Sequence, residues 1–210
     1  MALILRDVFP TWKNLPHTPG SRAALVCLRL AGWTPVLEPP PGLKFVVAAG
    51  PHTANADFWV ALFWIWATRT PMRWVGKHQL FSGPQGSFMR AVGGISLDRS
   101  KAKANFVGAV VELIHMQPEI ALAVAPEGSR AYTPYWKTGF YCMAQEAGVP
   151  IGVMALDWGR KRIGITGYVQ PTGDIEADFA SIAALLGGVQ GRYPKNQGPI
   201  APRPVQPKSV

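Results

Sequence analysis

Phe45-Val46-Val47-Ala48-Ala49-Gly50-Pro51-His52-Thr53-Ala54-Asn55-Ala56-Asp57 is the stretch from which the rest of the chain can be read. A short, continuous apolar run stopped by Gly-Pro reads as a strand buried on both faces. Past the stop, His52 precedes Asp57, and aromatic and apolar residues resume at Phe58-Trp59-Val60. An imidazole just beyond a buried strand, with an acid close by to orient it, is what a general base needs. The same spacing also suits an Asp that caps a helix opening near Phe58, with His52 an ordinary loop residue.

Working outward, further apolar runs predict strands over Met72–Gly76, Glu119–Ala125, Val149–Leu156 and Lys161–Val169, and a strand end at Ile95–Arg99. Helical patterns fall at Arg22–Gly32 behind a Ser21 cap, Phe58–Thr68, Phe88–Val92, Lys101–Gln117, Tyr135–Ala147 and Ile175–Val189. Gly148 is placed as a helix C-terminal cap. The alternation predicts an α/β fold: a single domain with a mixed, mostly parallel sheet covered by helices on both faces, and an N-terminal helical segment. Residues 1–42 form that segment, residues 43–190 the main domain, and residues 191–210 a Pro-rich basic tail expected to be disordered. In open α/β sheets, ligands collect beyond the carboxyl ends of the strands. His52, Lys77 and Glu127 each fall just past an expected strand end, so parallel strands would bring them to one rim.

The 210 residues are long enough to bury a sizeable core. Charged residues make up 16% and the formal net charge is +9, a balance that suits nucleic acid, acidic headgroups or phosphorylated substrates. No apolar run is long enough for a simple transmembrane helix, and Met1–Leu15 lacks the pattern of a signal peptide. Cys27 and Cys142 form neither a CxxC pair nor a disulfide framework and read as small core residues in a reducing compartment. Four scattered His give no metal-ligand spacing, which disfavours a metal-dependent hydrolase. The Arg22–Gly32 helix has two open readings, packing on the core or lying at a bilayer with Arg22 and Arg29 on anionic headgroups. The helix from Phe58 is apolar nearly all round, so it is buried or faces lipid or a long apolar ligand. Its Trp59, Trp64 and Trp66 are candidates to line the approach of such a ligand.

Two more motifs carry chemistry. In Ala125-Pro126-Glu127-Gly128-Ser129-Arg130, Gly lets the backbone approach a ligand, and Arg130 offers a planar fork for phosphate oxygens. A turn closed by a Glu127–Arg130 pair is the plainer alternative. Gly93-Gly94-Ile95-Ser96-Leu97-Asp98-Arg99 places a cation after a short strand entered through glycines.

Together these pieces resemble the glycerolipid acyltransferases of the 1-acylglycerol-3-phosphate O-acyltransferase type, the PlsC-like family. His52 to Asp57 matches the first block of that family. Lys77 to Arg99, with Leu80, Pro84, Gly86, Gly94 and Ile95 between, is similar to the second, Pro126 to Arg130 to the third, and Val149-Pro150-Ile151 to the fourth. Ser129 stands where Thr is usual, and Ala125 where an aromatic is usual. The resemblance implies acyl transfer from an acyl thioester, acyl-CoA or acyl carrier protein, to a lysolipid hydroxyl, with no cofactor, metal or nucleic acid. It implies His52 as the base, Asp57 as its orienting acid, and Arg99, Glu127, Gly128, Ser129 and Arg130 as the acceptor site. Lys77 is a looser candidate for the phosphate or for the donor's anionic part. Peripheral attachment to an anionic membrane surface, on its cytoplasmic face, is the expected setting. Within the same chemistry the acceptor can be a lyso-ornithine lipid or a lysophospholipid under remodelling. From another class, the chain can be a non-catalytic basic lipid- or nucleic-acid-binding protein on the same scaffold.

Overall fold

The computed structural model describes residues 11–96 and 106–204. Seven strands form one sheet: β1 (Thr34–Leu37), β2 (Lys44–Gly50), β3 (Met72–Gly76), β4 (Gly94–Ser96), β5 (Ile120–Val124), β6 (Ile151–Asp157) and β7 (Arg162–Val169). Their order is β1-β7-β6-β2-β5-β3-β4. All neighbouring pairs are parallel except β6 with β7, which are joined by a tight turn. The mixed, mostly parallel sheet is therefore as expected.

Helices cover both faces. α1 (Pro19–Leu30) and α2 (Ala56–Thr68) lie on one; α4 (Phe106–Met116), α5 (Gly139–Ala147) and α6 (Ile175–Leu185) lie on the other, and the short α3 (Gly83–Ala91) packs beside β4. The pleat of β2 divides the two cores. Val46 and Ala48 join Ile114, Phe140 and Ile182, whereas Phe45 and Val47 join Leu25, Leu28 and Trp64. β2 and β6 are buried along nearly their whole length, which is why both read as continuous apolar runs rather than as alternating ones.

Three local expectations are corrected and one open reading is settled. The cap of α1 is Thr18, not Ser21: the Ser21 backbone N–H donates to the Thr18 hydroxyl, while the Ser21 hydroxyl accepts from the Thr18 N–H. Of the two readings of α1, packing on the core is the one observed: Ala24, Leu25 and Leu28 are buried against α2 and the sheet, while Leu30 is exposed. Cys27 falls outside that stripe and is exposed, and Cys142 is half-buried. Thr34–Leu37, within the segment expected to be helical, is the edge strand of the sheet, a position where Pro35 is tolerated.

The tail differs most. Through residue 204 it is packed against the domain, with the Trp136 N–H donating to the Ala201 carbonyl and Trp136 bridging Pro202. Gln197 ties the segment to itself, accepting from the Gly191 N–H and donating to the Val189 carbonyl. A polar, Pro-rich composition cannot build a core, but it can lie as an extended strap on one that already exists. Among the described residues, no helix is long and apolar enough to cross a membrane.

Candidate active site

β2 ends at Gly50, and the loop from Pro51 delivers His52 to the carboxyl edge of the sheet before α2 begins. Asp57, in the first turn of α2, is 1% exposed. Its Oδ2 accepts from the Thr53 and Ala54 N–H groups, both at 2.8 Å, and lies 3.1 Å from His52 Nδ1. Its Oδ1 accepts from the Trp158 indole N–H at 2.7 Å. Asp57 is thus the acid beside His52 and not the cap of α2, whose N-cap is Asn55; the Asp57 Oδ2 ties down the loop ahead of the helix instead. Burial is the largest single influence and pushes its carboxyl up. The His52, Ala54 and Trp158 hydrogen bonds together outweigh that, so the group sits below the ordinary aspartate value.

His52 is part-exposed, with 23% of its side chain accessible. With a hydrogen on Nδ1 directed at Asp57, Nε2 carries the lone pair and can take a proton from a hydroxyl.

Glu127 reaches the same place from the end of β5, the parallel neighbour of β2. Its Oε1 accepts from the His52 backbone N–H at 3.0 Å, while Oε2 is buried with no hydrogen-bond partner among the described residues. Burial, the dominant influence, raises its pKa above the ordinary glutamate value. The carboxylate does not pair with Arg130; it staples the His52 loop instead. This close approach is available because residue 50 is Gly. A Cβ there would lie 2.8 Å from the Trp136 ring and 3.2 Å from Glu127 Oε1.

Gly128 turns at φ +67°, and its N–H closes the turn onto the Ala125 carbonyl at 3.1 Å. Ser129 and Arg130 are exposed, and the Ser129 hydroxyl donates to the Ala131 carbonyl. Arg130 lines an open cleft of about 290 Å³ whose other walls are Thr53 to Ala56, which directly follow His52, and Arg192, Tyr193 and Asn196 of the strap. Lys77 stands at the end of β3 on the same edge of the sheet, but it is exposed and does not line this cleft. Arg99 lies outside the described residues. Among the described residues, no cluster of His, Cys, Asp or Glu is arranged to hold a metal ion.

Trp158 was missed by reading the sequence. It sits one residue past β6, the other parallel neighbour of β2, so it belongs to the rim that holds His52 and Glu127. An aromatic immediately after a buried strand was the signal available. Lys161 and Arg192 stand over its ring at 4.6 and 4.7 Å, and Trp33 meets it edge-on at 4.8 Å. Of the three tryptophans of α2, Trp64 is fully buried and donates to the Val36 carbonyl, so it lines no open approach; Trp59 and Trp66 are exposed.

Comparison with known proteins bears on the chemistry. The structure is similar to the crystal structure of the 1-acyl-sn-glycerophosphate (LPA) acyltransferase PlsC from Thermotoga maritima, at 16% identity and a TM-score of 0.49, over 80% of this chain and 74% of that one. No curated protein sequence gives a significant match. The family model described as Acyltransferase matches residues 38–156, more than half of the chain and a span that contains His52, Asp57 and Glu127 to Arg130. This chain belongs to the acyltransferase family.

Proposed function

We propose that the protein moves a fatty acyl group from an acyl thioester, acyl-CoA or acyl carrier protein, to the hydroxyl of a lysophospholipid, 1-acylglycerol-3-phosphate foremost. The observation that carries this reading is the His52–Asp57 contact of 3.1 Å, on the same loop whose next residues, Thr53 to Ala56, line a cleft with Arg130, in a chain of the acyltransferase family.

In the proposed reaction, His52 Nε2 takes the proton of the acceptor hydroxyl as the oxygen attacks the thioester carbonyl. The tetrahedral intermediate then collapses, the C–S bond breaks, and the leaving thiolate receives the proton back from His52. Asp57 holds the imidazole by Nδ1 and stabilises the imidazolium that forms between the two transfers. Glu127 keeps the His52 backbone in place. Arg130, with Arg99 from the neighbouring motif, takes the acceptor phosphate. The oxygen nucleophile belongs to the substrate, so neither cysteine is required as an acyl carrier.

The reading includes a peripheral, cytoplasm-facing membrane association. The net charge of +9 and the exposed aromatic side chains Trp59, Trp66 and Phe88 support it. With α1 packed on the core, the exposed side of α2 is the surface offered to lipid.

The deciding experiment presents a panel of lysolipid acceptors to the purified protein with acyl-CoA and with acyl-acyl carrier protein. Transfer to lysophosphatidate that disappears in His52→Ala, with the melting temperature retained, is the expected result. Transfer at wild-type rate in His52→Ala would sink the assignment of the base. Transfer to an acceptor without phosphate, unaffected by Arg130→Ala, would replace the proposed acceptor.

A further inference from the structure

The C-terminal strap contributes Arg192 to the cleft beside His52, and Arg192 lies beyond the span matched by the family model. One hydrogen bond and close packing fix the strap there: the Tyr193 N–H donates to the Thr53 hydroxyl at 3.1 Å, while the Gly191 N–H holds the strap to itself through Gln197 Oε1 at 2.9 Å. Gly191 is packed so closely that a Cβ on it would lie 2.8 Å from Thr53 Cγ2. Residue 53 immediately follows His52, so the strap is docked on the same loop that presents the imidazole.

Arg192 is held by aromatic rings rather than by an acid. Its guanidinium stands 4.7 Å from the Trp158 ring centre and 5.8 Å from that of Tyr193. A cation–π contact uses none of the hydrogen bonds of a guanidinium, so its five N–H donors stay available to a ligand. Among the described residues, neither Arg192 nor Arg130 has a carboxylate or hydrogen-bond partner. The cleft they line contains no acidic side chain, and Asn196 adds an amide to the same wall. Two exposed guanidiniums from separate parts of the chain line this one small cleft, an arrangement that suits a doubly charged oxyanion.

We infer that Arg192 is a specificity-determining residue that joins Arg130 in gripping one substrate phosphate, making the strap a wall of the substrate site. The inference rests on the proposed acyl transfer for its substrate. Two phosphates fit the chemistry, the monoester of a lysophosphatidate headgroup and the 3′-phosphate monoester of coenzyme A, which acyl carrier protein lacks, and the kinetic arms separate them.

The test compares wild type, Arg192→Gln, Arg192→Lys and Arg203→Gln. The last removes the same charge from the same strap at a position stacked on Tyr135, outside the cleft. Arg192→Gln is expected to raise one KM at least about tenfold with kcat little changed, as loss of a charge-assisted contact does. A rise in KM for lysophosphatidate, with none for monoacylglycerol, assigns the headgroup. A rise in KM for acyl-CoA, with none for acyl-acyl carrier protein, assigns the donor. Arg192→Lys should fall between, because an ammonium keeps the charge without the fork, and Arg203→Gln should match wild type. Unchanged KM values for every substrate in Arg192→Gln, or an equal rise in Arg203→Gln, would overturn the inference. If the wild-type protein transfers no acyl group, the proposed function fails and inorganic phosphate becomes the probe. A phosphate-dependent rise in melting temperature present in wild type and absent in Arg192→Gln supports the grip; an equal rise in both overturns it.

Discussion

Trp158 donates its indole N–H to Asp57 Oδ1 at 2.7 Å, on the side of the carboxylate away from His52. That bond has two consequences. It satisfies an oxygen that would otherwise be buried without a partner, and it leaves Oδ2 to the imidazole and the two backbone N–H groups. Replacing Trp158 by Phe keeps most of the ring volume and removes the donor. The expected cost is about 1.5–3 kcal/mol of stability, the usual value of a hydrogen bond to a charged group. The Asp57 carboxyl is held low in the folded state, so its contribution to stability is present above its unfolded value and lost as pH falls through the folded one. Without Trp158 the folded value rises, and acid unfolding should begin at a higher pH. Urea titrations across the acid range read both effects.

Asp57→Asn tests the opposite partner. Every group around this carboxylate is a donor: the Thr53 and Ala54 N–H groups, the Trp158 indole and the His52 ring. An amide must turn its NH2 towards at least one of them. Both a stability loss of about 1–3 kcal/mol and a severe fall in kcat are expected. Chemical denaturation and steady-state transfer assays check the pair of outcomes.

Glu127→Gln should act on stability with a pH dependence of reversed sense. Burial raises the Glu127 pKa, so the folded protein holds that proton to higher pH than the unfolded chain. The associated stability is full below the unfolded value and is lost as pH rises through the folded one. The amide can still accept the His52 N–H and carries no charge to bury. The melting temperature of Glu127→Gln should therefore match or exceed wild type at neutral pH, with a flatter profile through the weakly acidic range. A variant that melts lower than wild type at every pH would contradict this.

At Gly50 the limit is space. The added methyl of Gly50→Ala meets the Trp136 ring and the Glu127 carboxylate. Overpacking of this kind costs about 1–3 kcal/mol. Because Glu127 must move, the His52 backbone loses its staple, and transfer should fall further than the stability loss explains. Measuring kcat well below the melting temperature separates the two.

Much of the site is local in the chain and was legible there. His52 and Asp57 bracket a single turn, and a carboxylate in the first turn of a helix reaches back to the N–H groups just ahead of it whatever the rest of the fold does. The buried strands β2, β5 and β6 announced themselves as apolar runs, and their end points placed His52 and Glu127 correctly at one edge. Periodicity does not carry strand order. Trp158 and Asp57 are 101 residues apart in the chain, and they meet because β6 is the parallel neighbour of β2. The contact of Glu127 with the His52 backbone was not legible for a related reason. The Glu127 motif suggested a ligand or Arg130 as partner, whereas the pairing of β5 with β2 brings it against the His52 backbone.

The strap shows the same division most clearly. Its composition, polar and rich in proline, gave it no core of its own and led to the expectation of disorder, which its docking through residue 204 corrects. Whether such a segment is anchored depends on hydrogen-bonding groups presented by distant residues, here the Thr53 hydroxyl and the Trp136 backbone. The amino-acid sequence by itself thus determined the buried strands, the imidazole and its acid. Only the tertiary structure decided which indole holds that acid and which second arginine shares its cleft, because sheet order and strap docking are set by packing between residues that the chain keeps far apart.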